Sequence, residues 1–311
     1  MNEILMALGG VAGLALLYFG ADWLVRGGGA IAVRARISPL VIGLTLVAFG
    51  TSAPELFVST GAALHGLGDI CIGNVVGSNI CNIALILGLT GLVAPIAVNA
   101  ASFRRDMLIM VAASVVVTAW CGLTGGLGRI AGFVFVVAIV FYTCHGIVMS
   151  RKAAAERPKE PSMGMGRVIA LAFVGLAVLV VGAKLILAGA VAIEKGLGVP
   201  DEFVALTVVA VGTSLPELAT SVVAARKGEA DIAIGNIVGS NIFNILGILG
   251  ISALLRPVAV AGMDWVDFGM MVATAVLLWP LLGARGRLGR TEGAILLAVY
   301  GGYLVWLIRT M

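Results

Sequence analysis

Two glutamates, Glu55 and Glu217, stand in matching polar segments of an otherwise apolar sequence. Residues 44–56 read LTLVAFGTSAPEL and residues 206–218 read LTVVAVGTSLPEL, so ten of thirteen positions agree at an offset of 162. A carboxylate in an apolar segment is costly unless something compensates its charge. We therefore expect both glutamates to be kept because they bind a cation.

Hydroxyl groups and a helix-breaking proline accompany each glutamate. Thr51 and Ser52 precede Pro54 in the first segment. Proline has no backbone N–H and displaces the carbonyl four residues earlier, so the helix should break here and leave carbonyl oxygens without partners. Such backbone is tolerated at membrane depth where it lines a cavity or holds an ion. The second segment repeats the arrangement with Thr213, Ser214 and Pro216.

A second repeated block lies on the next predicted helix. Residues 73–83 read GNVVGSNICNI and residues 235–245 read GNIVGSNIFNI, with nine of eleven positions identical at the same offset. Asn74, Ser78 and Asn82 are spaced by four residues, which predicts one polar stripe along a helix. The second block repeats the stripe with Asn236, Ser240 and Asn244.

The donor atoms of these blocks favour a hard cation. Apart from the amide nitrogens they are all oxygens, and calcium takes about 6–8 oxygen ligands in a flexible shell that also suits sodium. The blocks contain no imidazole or pair of thiolates, which argues against zinc and copper. Alternatively, the serine, threonine and asparagine side chains only join helices by hydrogen bonds. That alternative stays open for Asn79 and Asn241 in particular.

Composition places these residues in a membrane protein. Of 311 residues, 60% are hydrophobic and 12% are charged, and the mean hydropathy is +1.12. Soluble domains carry about a quarter charged residues, and apolar stretches of about 18 residues or more indicate membrane spans. We predict an all-α integral membrane protein. The net charge of +4 gives no argument for nucleic acid binding.

The apolar pattern predicts ten transmembrane helices, arranged as two inverted five-helix repeats. Residues 1–150 form the first repeat, 151–166 a cytoplasmic linker and 167–311 the second repeat. Because five is odd, the second copy must enter the membrane upside down, and transporters built in this way bind their substrate where the halves meet. The predicted spans are 4–25, 37–64, 70–94, 106–122, 128–149, 167–193, 201–225, 231–255, 265–283 and 291–309.

The basic residues predict the orientation. Fifteen lysines and arginines fall in loops after odd-numbered helices and four on the other side. The positive-inside rule then places the linker in the cytoplasm and both termini outside. Asp22 and Lys184 are equivalent positions of opposite charge, but an inverted repeat puts them toward opposite leaflets. We therefore expect Asp22 to pair with Arg26, one turn along its own helix.

The duplicated motifs GTSxPEL and GNxxGSNI resemble the paired alpha-repeats of the calcium/cation antiporter superfamily, most closely its prokaryotic sodium/calcium exchangers. The resemblance covers nearly the whole chain. It implies two long helices, the first and the sixth, that slide against the other eight. Asn244 occupies a position that is aspartate in some members. The implied metal ligands are Glu55, Glu217, Thr51, Thr213, Ser52, Ser214, Ser78, Ser240, Asn82 and Asn244, with the carbonyl groups of Ala48 and Ala210.

The resemblance and the donor set together predict a secondary active antiporter that exchanges Ca²⁺ for Na⁺ by alternating access. Calcium/proton exchange is the nearest alternative, and a passive cation channel is a more distant one. We expect no enzyme activity, cofactor, nucleic acid or protein partner, only inorganic cations and the lipid bilayer. The expected location is the inner (plasma) membrane of a bacterium or archaeon.

Residues 66–69 fit the pattern GxGD of intramembrane aspartyl proteases. That chemistry needs a second aspartate facing Asp69. The sequence predicts Asp69 in a short outer loop, and Asp22 and Asp106 at the opposite face of the membrane. We therefore do not favour a protease.

Overall fold

The computed structural model describes residues 3–97, 100–153, 164–196, 210–283 and 286–310. These residues are helical apart from short connections and four two-residue strands. The helices before the linker are α1 (Glu3–Ala35), α2 (Pro39–Thr51), α3 (Ala53–Leu64), α4 (Gly68–Val93), α5 (Ala100–Thr124) and α6 (Arg129–Ala153). Those after it are α7 (Met165–Gly196), α8 (Ala210–Thr213), α9 (Leu215–Arg226), α10 (Ala230–Leu255), α11 (Trp265–Gly283) and α12 (Arg290–Thr310).

Within the described ranges, seven helices are long and apolar enough to cross a membrane, or eight if the bent pair α2 and α3 forms one span. The predicted all-α membrane class is therefore confirmed. The predicted span 4–25 lies within α1, which continues to Ala35, and the predicted span 201–225 begins among residues that the structure does not describe. The seven are Gly68–Val93, Phe103–Thr124, Arg129–Lys152, Met165–Ala190, Ala230–Leu255, Trp265–Leu282 and Arg290–Thr310.

The helices that carry the GNxxGSNI blocks form the centre of the molecule. In the most apolar windows of α4 and α10, 72% and 83% of the residues are buried, against 17–33% in the other five spans. The two helices therefore contact protein on nearly all sides. In the remaining spans most residues are at least partly exposed, as expected for helices that face lipid.

Both predicted helix breaks are present, and each lies at the serine of the GTSxPE motif. Ser52 separates α2 from α3, with φ −80° and ψ 9°, and the two helices meet at an angle of 51°. Ser214 separates α8 from α9 with nearly the same dihedral angles, φ −89° and ψ 6°. Pro54 and Pro216 then occupy the first turn of the following helix, where the missing N–H has no intrahelical acceptor in any case.

Both central helices contain a π-helical stretch that the sequence did not predict. It covers Cys81–Leu87 in α4 and Phe243–Leu249 in α10, and α2 has a shorter one at Gly43–Val47. A π-helical turn adds a residue to the turn and often marks a functional site. Asn82 and Asn244 both lie in these stretches.

Two short strand pairs join the halves. Strand β1 (Ile96–Ala97) is antiparallel to β4 (Arg287–Leu288), and β2 (Gly126–Leu127) is antiparallel to β3 (Val258–Ala259). Each pair therefore connects one half of the chain to the other.

Asp69 supports one of these connections. It lies in the first turn of α4, not in a loop as predicted, because the helix already begins at Gly68. Its two carboxylate oxygens accept backbone hydrogen bonds of 3.0 and 3.1 Å from Ala261 and Gly262. Both oxygens are therefore bound to backbone, which gives Asp69 a structural role and argues against the protease.

The long helices α1 and α7 pack against each other at glycines. A Cβ atom at Gly20 would lie 2.5 Å from the backbone nitrogen of Leu179, and one at Gly182 would lie 2.7 Å from that of Leu17. No side chain fits at these positions, so the two backbones are in direct contact.

The predicted pairing of Asp22 is confirmed and extended. Nε of Arg26 lies 3.0 Å from Oδ2 of Asp22. Lys227, in the turn between α9 and α10, forms a second ion pair with the other oxygen. Lys184 is exposed. The buried carboxylate of Asp22 therefore ties α1 to an element of the second half.

Candidate cation-binding site

Glu55 and Glu217 are buried in the interior of the helical bundle. Their exposed fractions are 1% and 0%. Each lies in the first turn of the helix that follows a break, α3 for Glu55 and α9 for Glu217, where the helix dipole favours a negative charge. The helix breaks therefore place both carboxylates at helix N-termini inside the apolar region.

The two halves exchange hydrogen bonds at their carboxylates. The hydroxyl of Ser52 donates to Oε1 of Glu217 at 2.9 Å, and the hydroxyl of Ser214 donates to Oε1 of Glu55 at 3.1 Å. Each carboxylate thus contacts the helix break of the opposite half. The structure brings the two GTSxPE segments together, as the sequence led us to expect.

The asparagines at the start of each polar stripe hold the backbone of the glutamates. Asn74 donates to the carbonyl oxygen of Glu55 at 3.3 Å and to the hydroxyl of Ser59 at 2.8 Å. Asn236 makes the equivalent contacts with Glu217 and Ser221 at 3.3 and 3.0 Å.

The sequence reasoning missed these two serines. A signal was available, because Ser59 and Ser221 each follow their glutamate by four residues and recur at the offset of 162. On a helix, that spacing places the serine on the same face as the glutamate.

The carbonyl group of Ala48 also lies at the site. The hydroxyl of Thr51 is 3.2 Å from its oxygen and 3.1 Å from Oδ1 of Asn236. The hydroxyl of Ser240 is 3.5 Å from the Ala48 oxygen and 3.5 Å from Oε1 of Glu217. The first residue of α8 is Ala210, which is equivalent to Ala48, and Thr213 at the end of α8 is buried.

Five buried oxygens of the predicted ligand set have no hydrogen-bond partner among the described residues. An unsatisfied buried polar group costs about 1–3 kcal/mol, and more if it is charged. Oxygen atoms with free lone pairs are what a cation needs. The five are Oε2 of Glu55, Oε2 of Glu217, Oγ of Ser78, Oδ1 of Asn82 and Oδ1 of Asn244.

Among the described residues, no basic side chain balances the charge of the two glutamates. Within the part of the chain that the structure describes, neither Glu55 nor Glu217 forms an ion pair with a basic side chain. The same residues contain no cluster of three or more His, Cys, Asp or Glu side chains that could hold a metal ion. The acidic groups are therefore two, and hydroxyl and amide oxygens make up the rest of the donor set, which suits a hard cation.

Comparison with known proteins also indicates a cation transporter, and the similarity covers nearly the whole chain. The model of the sodium/calcium exchanger protein family matches residues 5–148 and 167–309. CaxA of Alkalimonas amylolytica, which carries the name of an antiporter, is 41% identical over 94% of this chain and 95% of its own length. The sodium/calcium exchanger MaX1 of Methanosarcina acetivorans is 33% identical over 94% of this chain and 95% of its own length.

A solved structure agrees with the fold. The sodium-calcium exchanger NCX_Mj, soaked with zero Na⁺ and Ca²⁺, superposes with a TM-score of 0.86 at 32% identity. The match covers 98% of this chain and all of that one. The chain therefore belongs to the sodium/calcium exchanger family, a family of membrane cation antiporters.

Proposed function

We propose that this protein exchanges Ca²⁺ for Na⁺ across the membrane by alternating access, with both ions bound in turn between Glu55 and Glu217. The observation that carries this proposal is a set of five unpaired buried oxygens, two of which belong to carboxylates that have no basic partner among the described residues. The names of MaX1 and NCX_Mj, which are sodium/calcium exchangers, support the choice of ions.

The charge of the site explains why the two ions exchange. Two ionised glutamates carry about −2, which one Ca²⁺ neutralises and which two or three Na⁺ neutralise or slightly exceed. A loaded site can therefore cross the low-dielectric barrier, whereas the empty site with its two charges cannot do so cheaply. Because both ions use the same oxygens they compete, and a sodium gradient can drive calcium in the opposite direction.

The proposed ligands are the side chains predicted from the sequence together with two backbone carbonyl groups. Their burial and the contacts between the two halves support this assignment. The transported ions are the substrates, and the proposal includes no resident cofactor. The full set is Glu55, Glu217, Thr51, Thr213, Ser52, Ser214, Ser78, Ser240, Asn82 and Asn244, with the carbonyl groups of Ala48 and Ala210.

The proposed architecture has ten spans in two inverted five-helix repeats, 1–150 and 167–311, joined by a cytoplasmic linker at 151–166 with both termini outside. The equivalent breaks at Ser52 and Ser214 and the equivalent π-helical stretches support the duplication. The distribution of lysine and arginine supports the orientation. The location would be the inner (plasma) membrane of a bacterium or archaeon.

Transport in proteoliposomes tests the proposal. Vesicles loaded with Na⁺ and diluted into Na⁺-free buffer should take up Ca²⁺, and Glu55→Gln and Glu217→Gln should each abolish the uptake. Ser114→Ala is a matched control, because the Ser114 hydroxyl is buried and donates to the carbonyl oxygen of Met110 in its own helix. Unchanged uptake in either glutamate variant would contradict the assignment.

Calcium/proton exchange is the second candidate. It is favoured by the same two carboxylates, since buried acidic groups without basic partners can also be neutralised by protons. Replacing the sodium gradient with a pH gradient separates the two functions. Uptake driven only by the pH gradient would favour protons, and Ca²⁺ flux that runs down its own gradient without a counter-ion would favour a channel.

A further inference from the structure

Four asparagines form hydrogen bonds with one another where α4 meets α10. They are Asn79 and Asn82 on α4 and their equivalents Asn241 and Asn244 on α10. All four are at least 99% buried. Asn79 and Asn241 are not in the proposed ligand set, and the sequence left open whether they only join the helices.

The outer pair, Asn79 and Asn241, binds backbone across the interface. Nδ2 of Asn79 donates to the carbonyl oxygen of Asn241 at 3.2 Å, and Nδ2 of Asn241 donates to the carbonyl oxygen of Asn79 at 3.4 Å. A carbonyl oxygen can only accept a hydrogen bond. The orientation of both amides is therefore fixed, with the nitrogen toward the opposite backbone and the oxygen on the other side.

The orientation of these two amides determines that of the inner pair, Asn82 and Asn244. Oδ1 of Asn79 accepts from Nδ2 of Asn244 at 3.0 Å, and Oδ1 of Asn241 accepts from Nδ2 of Asn82 at 3.1 Å. Because its nitrogen is held in this way, the planar amide of Asn82 or Asn244 must direct its oxygen away from the asparagine that binds it, which we call its anchor. These are the two amide oxygens, Oδ1 of Asn82 and Oδ1 of Asn244, that have no partner among the described residues.

We propose that Asn79 and Asn241 are positioning residues. They orient the side-chain oxygens Oδ1 of Asn244 and Asn82, respectively, as ligands for the transported cation. This inference rests on the proposed function, because it needs a cation at the site. Without the anchors, each inner amide could rotate and present its N–H group, which repels a cation. Partners that orient a metal ligand typically change metal affinity by about 10–100-fold.

The pairing is crossed between the halves, and this gives a specific test. Leucine has the same branched arrangement of side-chain heavy atoms as asparagine but cannot hydrogen-bond to an amide, so Asn79→Leu and Asn241→Leu each remove the hydrogen bonds of one asparagine. An aspartate has two acceptor oxygens and presents one to the cation in either orientation. Asn244→Asp should therefore restore Ca²⁺ binding to Asn79→Leu, and Asn82→Asp should restore it to Asn241→Leu.

The measurement is Ca²⁺ titration calorimetry on the purified full-length protein. We expect each leucine variant to bind Ca²⁺ about 10–100-fold more weakly and only the crossed aspartate to recover it. Asn82→Asp in the Asn79→Leu background is the matched control, because it adds the same negative charge at the wrong position. Equal recovery by both aspartates would show that charge alone acts and would overturn the proposal.

Two further measurements separate the possible failures. The melting temperature without Ca²⁺ reports a merely structural role, which would lower stability and leave the Ca²⁺ affinity unchanged. If the glutamate variants lose Ca²⁺ binding while both leucine variants keep it, positioning is refuted and the cation site stands. Wild-type binding by Glu55→Gln and Glu217→Gln would refute the site and the positioning together. If a leucine variant does not fold, Asn79→Ala and Asn241→Ala carry the same test.

Discussion

The hydroxyl of Ser52 donates a 2.9 Å hydrogen bond to Glu217, a residue that lies in the other half of the chain. The reciprocal bond joins Ser214 to Glu55. Each serine is also the residue at which its own helix breaks. A change at one break therefore moves a group that touches the carboxylate of the other half, so the two halves of the site are mechanically linked.

These crossed bonds predict the effect of Ser52→Ala and Ser214→Ala. Each variant removes one hydroxyl oxygen and one hydrogen bond to a buried carboxylate. A hydrogen bond to a charged group contributes about 1.5–3 kcal/mol, which corresponds to roughly a tenfold to hundredfold change in affinity. We expect the Ca²⁺ concentration for half-maximal uptake to rise by that factor in proteoliposomes. Ser114→Ala should leave it unchanged, and equal behaviour of all three variants would contradict the prediction.

The contact between α1 and α7 predicts a strong effect of Gly20→Ala. The new Cβ atom would lie 2.5 Å from the backbone nitrogen of Leu179 and 2.8 Å from the carbonyl oxygen of Gly175. Backbone cannot yield as a side chain can, so the helices must separate, and overpacking of this kind costs about 1–3 kcal/mol. We expect a lower melting temperature of the purified protein in detergent.

Gly146→Ala is the matched control for Gly20→Ala. It also adds one methyl group to a helix, but apart from its chain neighbours and the nearby backbone of its own helix no described atom lies within 4 Å of the new Cβ position. Alanine favours helix more than glycine does, so this variant should be neutral or slightly stabilising. Equal melting temperatures for the two variants would contradict the close packing of α1 and α7.

The geometry of its two ion pairs predicts that the partners of Asp22 contribute unequally to the stability of the protein. Arg26 is 62% exposed in its side chain, whereas Lys227 is 27% exposed and lies on a different element. Solvent weakens an exposed pair to below about 1 kcal/mol, while a partly buried pair between elements keeps more of its energy. In double-mutant cycles, coupling of Asp22 to Lys227 should exceed its coupling to Arg26.

Thermal unfolding of Asp22→Asn, Lys227→Met, Arg26→Met and the double variants measures both couplings. The methionine replacements keep most of the apolar length of the side chain and remove its charge together with its N–H donors. Equal coupling energies, or a larger one for Arg26, would contradict the prediction that the contact between α1 and the turn before α10 contributes more stability than the pair within α1.

Sequence predicted the chemistry of the site better than its connections. Glu55, Glu217 and the prolines were recognisable because a charge or a helix breaker in an apolar segment needs a reason. The breaks at Ser52 and Ser214 follow directly from those prolines. Duplication at one offset then indicated that the two segments meet.

Other features could not be predicted because they depend on the packed halves. The π-helical stretches in α4 and α10 have no residue type that signals them. The ion pair between Asp22 and Lys227 joins distant parts of the sequence. The sequence predicts Asp69 in a loop because the apolar span begins at residue 70, but α4 begins at Gly68. The crossed amides of Asn79 and Asn241 likewise appear only when the central helices meet.

Replacing the amide of Asn244 by a carboxylate tests whether the net charge of the loaded site limits transport. Asn244→Asp would give the site a third carboxylate, so that one bound Ca²⁺ leaves a net charge of about −1, whereas three Na⁺ ions leave it neutral. A net charge within the membrane barrier costs several kcal/mol, and each 1.4 kcal/mol slows a step tenfold. Calcium self-exchange in proteoliposomes at alkaline pH should therefore fall at least about tenfold relative to sodium self-exchange. Asn82→Asp, the equivalent change in the other half, should have the same effect, because the charge is added to the same site. If the ratio of the two exchange rates stays at its wild-type value in both variants, the net charge of the loaded site does not control its movement across the membrane.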